Sequence, residues 1–99
     1  MRVFVSGPMS NMEDWNWRQF KKAETALSFE GHTVLSPANN IPMTNPEAIP
    51  HEGYLAICLA MIDQCDCIYQ LHGWEQSKGA RIEFLYASIT GKQIMQEGD

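Results

Sequence analysis

The chain has 99 residues, 44% of them hydrophobic, and a formal net charge of -5 at pH 7. This length predicts a single domain over residues 1–99 with a thin hydrophobic core. The acidic balance argues against nucleic acid as a partner, because a nucleic-acid groove needs clustered Lys and Arg to neutralise phosphates. A single nucleotide carries far less charge, and backbone N–H groups at the end of one helix are enough to hold it.

The order of the predicted elements indicates the fold. Short apolar runs rich in β-branched and aromatic residues alternate with stretches of helical periodicity. In chain order we predict a strand at 2–6, a helix at 14–30, a strand at 32–36, a helix at 52–64, a strand at 67–71, a helix at 77–90 and a short edge strand at 93–95. Alternation of this kind is typical of an α/β fold, in which helices cover both faces of a parallel sheet.

Details within these elements predict which residues are buried and where helices end. In the first helix, Trp17 and Phe20 lie at helical spacing and are expected to face the core. Gly31 and Gly91 stand where two helices should end, and glycine is common at that position. The loop at 36–50 holds four of the five prolines, and many loops of this length in compact domains are functional.

The ligand-binding edge follows from the predicted sheet. In open α/β sheets, ligands bind beyond the carboxyl ends of the strands. The residues at those ends that we predict to contact a substrate are Ser6, Gly7, Pro8, Met9, Asn39 and Trp74. Two of them have plainer alternatives, because Asn39 could simply shape a turn and Trp74 could pack under the proline-rich loop.

The segment at 73–84, GWEQSKGARIEF, suggests chemistry at this edge. Ser77 is a candidate N-cap for the last helix, and Gly79 would offer a free N–H in its first turn without a side chain in the way. The positive end of the helix dipole favours an anion there. Glu83 lies one turn further along, and helical side chains lean toward the N-terminus, so its carboxylate should approach the same place.

A carboxylate beside the anomeric carbon of a sugar attacks that carbon or stabilises an oxocarbenium-like transition state. We therefore predict Glu83 as the catalytic residue. The plainer alternatives are a Glu83 that is solvated or paired with Lys78 or Arg81, and a Ser77 that only caps the helix.

A family resemblance lies in three segments of the sequence, VFVSGPMSNM, GHTVLSPAN and CDCIYQLHGWEQSKGARIE. They resemble the nucleoside 2-deoxyribosyltransferase-like superfamily, and within it a small branch of phage and bacterial domains of unknown function. The similarity runs from Val3 to about Lys92. Its most specific element is the S-x-G-x-x-x-E pattern of Ser77, Gly79 and Glu83.

The resemblance implies a flavodoxin-like or Rossmann-like three-layer sandwich that acts on the N-glycosidic bond of a nucleoside or nucleoside 5′-monophosphate. By analogy, Glu83 would be the nucleophile, Ser77 and Gly79 would contact the phosphate or 5′ end, and the loop at 6–9 would line the pocket. No metal or organic cofactor is implied. A homo-oligomer is expected, because family members complete the pocket from a neighbouring subunit and a thin core favours association.

Two positions depart from the pattern of active relatives. Phe4 stands where relatives usually carry a Tyr whose hydroxyl would orient the catalytic Glu, and Cys58 stands where they tend to carry an Asp. A thiol is a weak hydrogen-bond donor, and loss of general-acid help typically lowers a rate by about 10²–10⁴-fold. These departures leave open a non-catalytic module that binds or senses a nucleotide.

The remaining features concern the cysteines and the location of the protein. Cys58, Cys65 and Cys67 make an odd count without a secretory signal, so we expect small buried residues rather than a disulfide framework or a metal site. No window reaches the ~18 apolar residues of a transmembrane helix, and the N-terminus runs directly into a strand. We therefore expect a cytoplasmic protein without membrane contact.

Overall fold

The computed structural model describes residues 1–9, 12–40 and 50–98, and it shows a four-stranded parallel sheet with helices. The strands are β1 (Arg2–Ser6), β2 (Thr33–Leu35), β3 (Cys67–Gln70) and β4 (Gln93–Gln96). The helices are α1 (Trp17–Phe29), α2 (His51–Asp63) and α3 (Lys78–Ile89), with 3₁₀ turns at Glu13–Asn16, Pro37–Asn40 and Trp74–Gln76. The predicted α/β fold is confirmed.

The order of strands in the sheet is β2-β1-β3-β4, and each neighbouring pair is parallel. After β1 the chain therefore adds β2 on one side of that strand and then crosses to add β3 on its other side. Ser6, the last residue of β1, lies opposite Gln70, the last residue of β3. The carboxyl ends of β1 and β3 thus flank the switch point of the sheet, where α/β folds bind ligands.

Alternating side chains divide the core into two layers. On one face, Val3 and Val5 pack with the buried side of α1. On the other face, Phe4 packs with Cys58 of α2 and Ala87 of α3. Because Ser6 follows Phe4 at the two-residue period of a strand, its side chain shares the face that α2 and α3 cover. The arrangement is the predicted three-layer sandwich.

Glycines end the first and last helices as predicted. Gly31 follows α1 with φ +95°, and Gly91 follows α3 with φ +76°. Residues with side chains rarely adopt this left-handed backbone, so glycine is suited to both positions.

The start of the first helix differs from the prediction. Asp14, Trp15 and Asn16 have φ values of 50°, 57° and 61°, and α1 begins only at Trp17. The side chain of Asn16 donates from Nδ2 to the carbonyl of Pro8 at 2.9 Å, which joins this turn to the end of β1. The expectation that Trp17 lies in the core is wrong, because it opens the helix ahead of the packed turns and is 39% exposed.

The proline-rich loop is described only at its two ends. Pro37 begins a 3₁₀ turn after β2, and Pro50 immediately precedes α2. Residues 41–49 lie outside the described residues, so the predicted function of this loop stays a prediction.

Candidate functional site

Glu83 lies on the buried face of α3, with only 7% of its surface exposed. Ala80 and Ala87 are buried on the same face, about one turn before and after it. The alternative of a solvated side chain does not hold. Nor does pairing with Lys78 or Arg81, since none of the ion pairs in the described part of the chain includes Glu83.

An uncharged donor holds the Glu83 carboxylate. The Ser6 hydroxyl, wholly buried at the end of β1, donates to Oε1 of Glu83 at 2.6 Å. The Cys58 thiol of α2, buried in the cluster that also contains Phe4 and Ala87, acts on the same carboxylate and favours its ionised form. Three separate elements, β1, α2 and α3, therefore meet at one carboxylate beside the switch point of the sheet.

Burial controls the protonation of this group. Removal from water raises the pKa of Glu83 to about 7, although the hydrogen bond from Ser6 and the Cys58 thiol favour the ionised form and oppose the rise. Burial also raises the pKa of the Cys58 thiol strongly, and the negative charge of Glu83 adds to that effect. Near neutral pH, the site thus holds a thiol that keeps its proton beside a carboxyl group that readily gains or loses one.

The amino terminus of α3 is built as the sequence predicts. Ser77 is the N-cap, and its Oγ accepts a hydrogen bond from the N–H of Ala80 at 3.2 Å. The N–H groups of Lys78 and Gly79 belong to the first turn and have no acceptor within the helix. Glu83 lies one turn further along. The helix therefore presents an end suited to an anion and, next to it, the buried carboxylate.

The loop after β1 packs closely against the loop after β3. A Cβ atom on Gly7 would lie 2.8 Å from Cβ of Leu71, so only glycine fits there without displacement. Pro8 continues along the same edge, and a Cβ on Gly73 would lie 3.5 Å from its Cγ. Met9 instead packs on the core cluster that contains α1. Within the predicted loop at 6–9, the residue whose side chain contacts the Glu83 carboxylate is Ser6.

Two other predicted contact residues have partners within the chain. The ring of Trp74 packs on Phe84 of α3, with 5.0 Å between ring centroids. Asn39 bonds the ammonium group of Lys21 through Oδ1, and its Nδ2 donates to Glu24 at 3.5 Å. Lys21 and Glu24 belong to α1, which covers the opposite face of the sheet from Glu83. The structure therefore does not bring Asn39 to the Ser6, Cys58 and Glu83 group.

Gln70 is a polar residue at this edge that the sequence reading missed. It is 1% exposed, and its Oε1 accepts a hydrogen bond from Nε2 of Gln96 at 3.1 Å. Its own Nε2 is buried and has no hydrogen-bond partner among the described residues. The signal was its place at the end of a predicted strand, opposite Ser6. The action of Cys58 on Glu83 was missed as well, because spacing along the chain does not reveal where two helices meet.

A concave surface lies away from this group. A groove of about 650 Å³ follows the outer side of α1, where Trp17, Lys21 and Phe29 are among its lining residues. Within residues 1–9, 12–40 and 50–98, no three or more His, Cys, Asp or Glu side chains are grouped so that they could hold a metal ion. None of the helices in those ranges is long and apolar enough to cross a membrane.

Comparison with known families and proteins gives one family match. A family model described as "Domain of unknown function (DUF4406)" matches residues 1–96. A search of curated proteins finds no match.

Two solved structures resemble the fold closely. One is a 2-deoxyribosyltransferase from Bacillus psychrosaccharolyticus, studied as a biocatalyst for nucleoside synthesis, with a TM-score of 0.75 and 25% sequence identity. The match covers 97% of this chain and 71% of that protein. The other is a 2-deoxyribosyltransferase from Leishmania mexicana, with a TM-score of 0.73 and 20% identity over 96% of this chain and 62% of that protein. The chain is thus shorter than both, and the second likeness concerns the fold alone.

Proposed function

The chain belongs to the DUF4406 family, whose description names no activity, and we propose that it cleaves or transfers at the N-glycosidic bond of a nucleoside or nucleoside 5′-monophosphate. The observation that carries this proposal is the buried Glu83, held by Ser6 one turn inside the capped end of α3. The likeness to a 2-deoxyribosyltransferase at 25% identity supports the same class of chemistry.

In the proposed reaction, ionised Glu83 attacks the anomeric carbon of the sugar. The bond from that carbon to the base breaks, and the base leaves with the bonding electron pair and takes up a proton from solvent. The resulting ester between Glu83 and the sugar is then opened by water, which gives hydrolysis, or by a second base, which gives transfer. Both outcomes use the same nucleophile.

Substrate binding would use the edge formed by β1, β3 and α3. The first-turn N–H groups at Lys78 and Gly79, with the Ser77 hydroxyl, suit a phosphate or the 5′ end of a nucleoside. Gly7 and Pro8 would line the sugar side, and Trp74 would wall the pocket. We propose no metal or organic cofactor, because the nucleophile and the anion-binding helix end are both supplied by the chain.

The decisive experiment measures free base after incubation with a panel of nucleosides and nucleoside 5′-monophosphates, both ribo and deoxyribo. The variant Glu83→Gln should release none. Glu30→Gln should behave as wild type, because Glu30 is exposed at the opposite end of the molecule. A 2-fluoro sugar analogue, which slows the second step, should add its sugar mass to wild type and not to Glu83→Gln. Absence of base and adduct across the panel at high protein concentration would reject the proposal.

The second candidate is a module that binds a nucleotide without turnover. It is favoured by Phe4, which is wholly buried in the core cluster that includes Cys58 and offers no hydroxyl to Glu83. Calorimetry separates the two functions, because tight nucleotide binding without base release supports the module. We also propose that the chain belongs to the phage and bacterial branch, forms a single domain over residues 1–99, lies in the cytoplasm and assembles as a homo-oligomer. Light scattering tests the oligomer directly.

A further inference from the structure

Three consecutive residues just before α1 adopt a backbone that amino acids with side chains rarely take. Asp14, Trp15 and Asn16 have φ values of 50°, 57° and 61°, and their ψ values are also positive. Asparagine tolerates this left-handed region better than most residues, whereas a bulky side chain such as that of Trp15 is unfavourable there. Backbone of this kind persists only where the surroundings hold it, and it is concentrated at functional sites.

The side chain of Asn16 holds the loop after β1 and not its own helix. An asparagine at the N-cap usually accepts a hydrogen bond from the first helical turn, and Asn16 makes no such bond with the described first turn of α1. Its Nδ2 instead donates to the carbonyl of Pro8 at 2.9 Å. The turn therefore lacks a side-chain cap and has an unfavourable backbone, while it fixes the Pro8 carbonyl in place.

The loop after β1 is also fixed on both sides of this carbonyl. A Cβ on Gly7 would lie 2.8 Å from Cβ of Leu71, so the two loops are in close contact there. The Met9 side chain packs on the core cluster that contains α1, and the Met9 carbonyl accepts a hydrogen bond from the N–H of Met12 at 3.2 Å. The N–H of Met9, in contrast, has no acceptor among the described residues. It is therefore a fixed backbone donor that a ligand can use.

The bond from Asn16 also sets the direction of this donor. In a planar trans peptide the C=O and the N–H point in opposite directions, so a Pro8 carbonyl that faces Asn16 turns the Met9 N–H away from it. Asn16 immediately precedes α1, which covers the face of the sheet opposite Glu83. The Met9 N–H is thus directed away from the α1 side, at the edge where β1 ends.

We propose that Asn16 is a positioning residue, which orients the Pro8–Met9 peptide so that the Met9 N–H donates to an oxygen of the substrate's sugar or of its 5′ phosphate. This inference rests on the proposed function, because that function places the sugar between Glu83 and the loop after β1. Asn16 acts through the peptide and does not touch the substrate. A donor that is fixed before the substrate arrives loses less freedom on binding than a donor in a mobile loop.

The test compares Asn16→Gly with Asp14→Gly as its matched control. Glycine readily adopts the left-handed backbone, so both variants keep the turn and both add one glycine to the unfolded chain. Only Asn16→Gly loses the bond to Pro8. Calorimetry measures the affinity of each variant for ribose 5-phosphate, 2-deoxyribose 5-phosphate and the panel of nucleoside 5′-monophosphates. The Met9 amide is followed by ¹H–¹⁵N NMR with methionine-selective labelling, and its signal is assigned by its loss in Met9→Leu.

We expect Asn16→Gly to bind the sugar phosphates and the nucleotides roughly three- to tenfold more weakly than wild type, because a positioned donor is lost. In kinetics, KM should rise by the same factor with kcat changed less than twofold, since this donor acts equally in the ground state and the transition state. Asp14→Gly should match wild type in every measurement. The Met9 amide proton should shift on addition of sugar phosphate in wild type and Asp14→Gly, and much less in Asn16→Gly.

The proposal is overturned if Asn16→Gly binds as tightly as wild type, if Asp14→Gly weakens binding equally, or if the Met9 amide of wild type responds to none of the probes. If Asn16→Gly does not fold, Asn16→Asp takes its place, since aspartate keeps the size and tolerates the backbone but has no N–H donor. This variant is measured with uncharged nucleosides, and an unchanged affinity overturns the proposal.

Failure of this inference and failure of the proposed function give different results. Base release by wild type, combined with unchanged binding in Asn16→Gly, would reject the positioning role and leave the proposed function standing. The expected loss of affinity in Asn16→Gly, combined with a wild type that releases no base, would reject the proposed function and support the positioning role.

Discussion

The substitution Glu83→Gln tests the physical basis of the site without any substrate. Glutamine keeps the shape of glutamate and can still accept the hydrogen bond from Ser6, but it carries no charge at any pH. If Glu83 is buried as the structure shows, ionising it must cost the folded state free energy. Removing that ionisation should therefore stabilise the protein, and only at pH values where glutamate would be ionised.

The magnitude follows from the pKa of Glu83, which burial raises from 4.5 to about 7. A folded-state pKa above the unfolded value means that the folded protein keeps the proton longer. Stability is then full below pH 4.5 and falls as pH rises toward 7, by about 1.4 kcal/mol per pH unit. Over that interval the loss amounts to about 3 kcal/mol. The free energy of unfolding of Glu83→Gln, taken relative to wild type at the same pH, should therefore be about 3 kcal/mol higher at pH 8 than at pH 4.5.

The assay is urea unfolding of wild type, Glu83→Gln and Glu30→Gln at pH 4.5 and pH 8. Other titrating groups cancel when each variant is compared with wild type at the same pH, so the pH-dependent part belongs to the substituted residue. Glu30→Gln should show little change between the two pH values, because its side chain is exposed and its charge carries no cost of burial. If the free energy of unfolding of Glu83→Gln differs from that of wild type by the same amount at both pH values, the burial argument is refuted.

Four further outcomes are expected. Gly7→Ala should lower the free energy of unfolding by about 1–3 kcal/mol in urea titrations, because its Cβ would lie 2.8 Å from Cβ of Leu71; an unchanged value would show that the two loops are not packed. Ser77→Ala should cost about 1 kcal/mol in the same assay through loss of the N-cap, and no change would contradict the cap. Gln70→Met should change stability by less than about 1 kcal/mol, since a buried unpaired Nε2 disappears together with one hydrogen bond; a loss of about 3 kcal/mol would mean that Nε2 is satisfied. The rate of base release should rise with pH through about 7 as Glu83 ionises, and a flat profile between pH 5 and 8 would contradict its role as nucleophile.

Periodicity and glycine placement were enough to predict the layers of this fold. Each strand and helix depends on a local pattern, and the parallel sheet follows because helices separate the strands along the chain. Gly31 and Gly91 were informative for the same reason, since a left-handed residue at a helix end is a local requirement.

The errors arose where a long-range contact decides the local structure. Periodicity places Trp17 in an apolar stripe but does not say where the helix begins. That start depends on the left-handed turn before it and on the bond from Asn16 to the Pro8 carbonyl. Likewise, the sequence placed Glu83 on an apolar side of a helix, yet only the assembled fold brings Cys58 to it across two elements. Asn39 stays a predicted contact residue, and its side chain bonds Lys21 and Glu24 of α1, because a strand end fixes the edge of the sheet and not the face to which a following loop turns.

The identity of residue 83 is itself an argument for function. A glutamine there would accept the Ser6 hydrogen bond, fill the same space and avoid the free-energy cost of an ionised carboxylate near neutral pH. Compared with glutamine, glutamate adds a charge that becomes available near pH 7 and that costs the fold free energy. Groups that destabilise a fold and have a perturbed pKa are found preferentially at functional sites. The buried acid therefore supports the proposed chemistry at the edge of the sheet, where the amino terminus of α3 is suited to an anion.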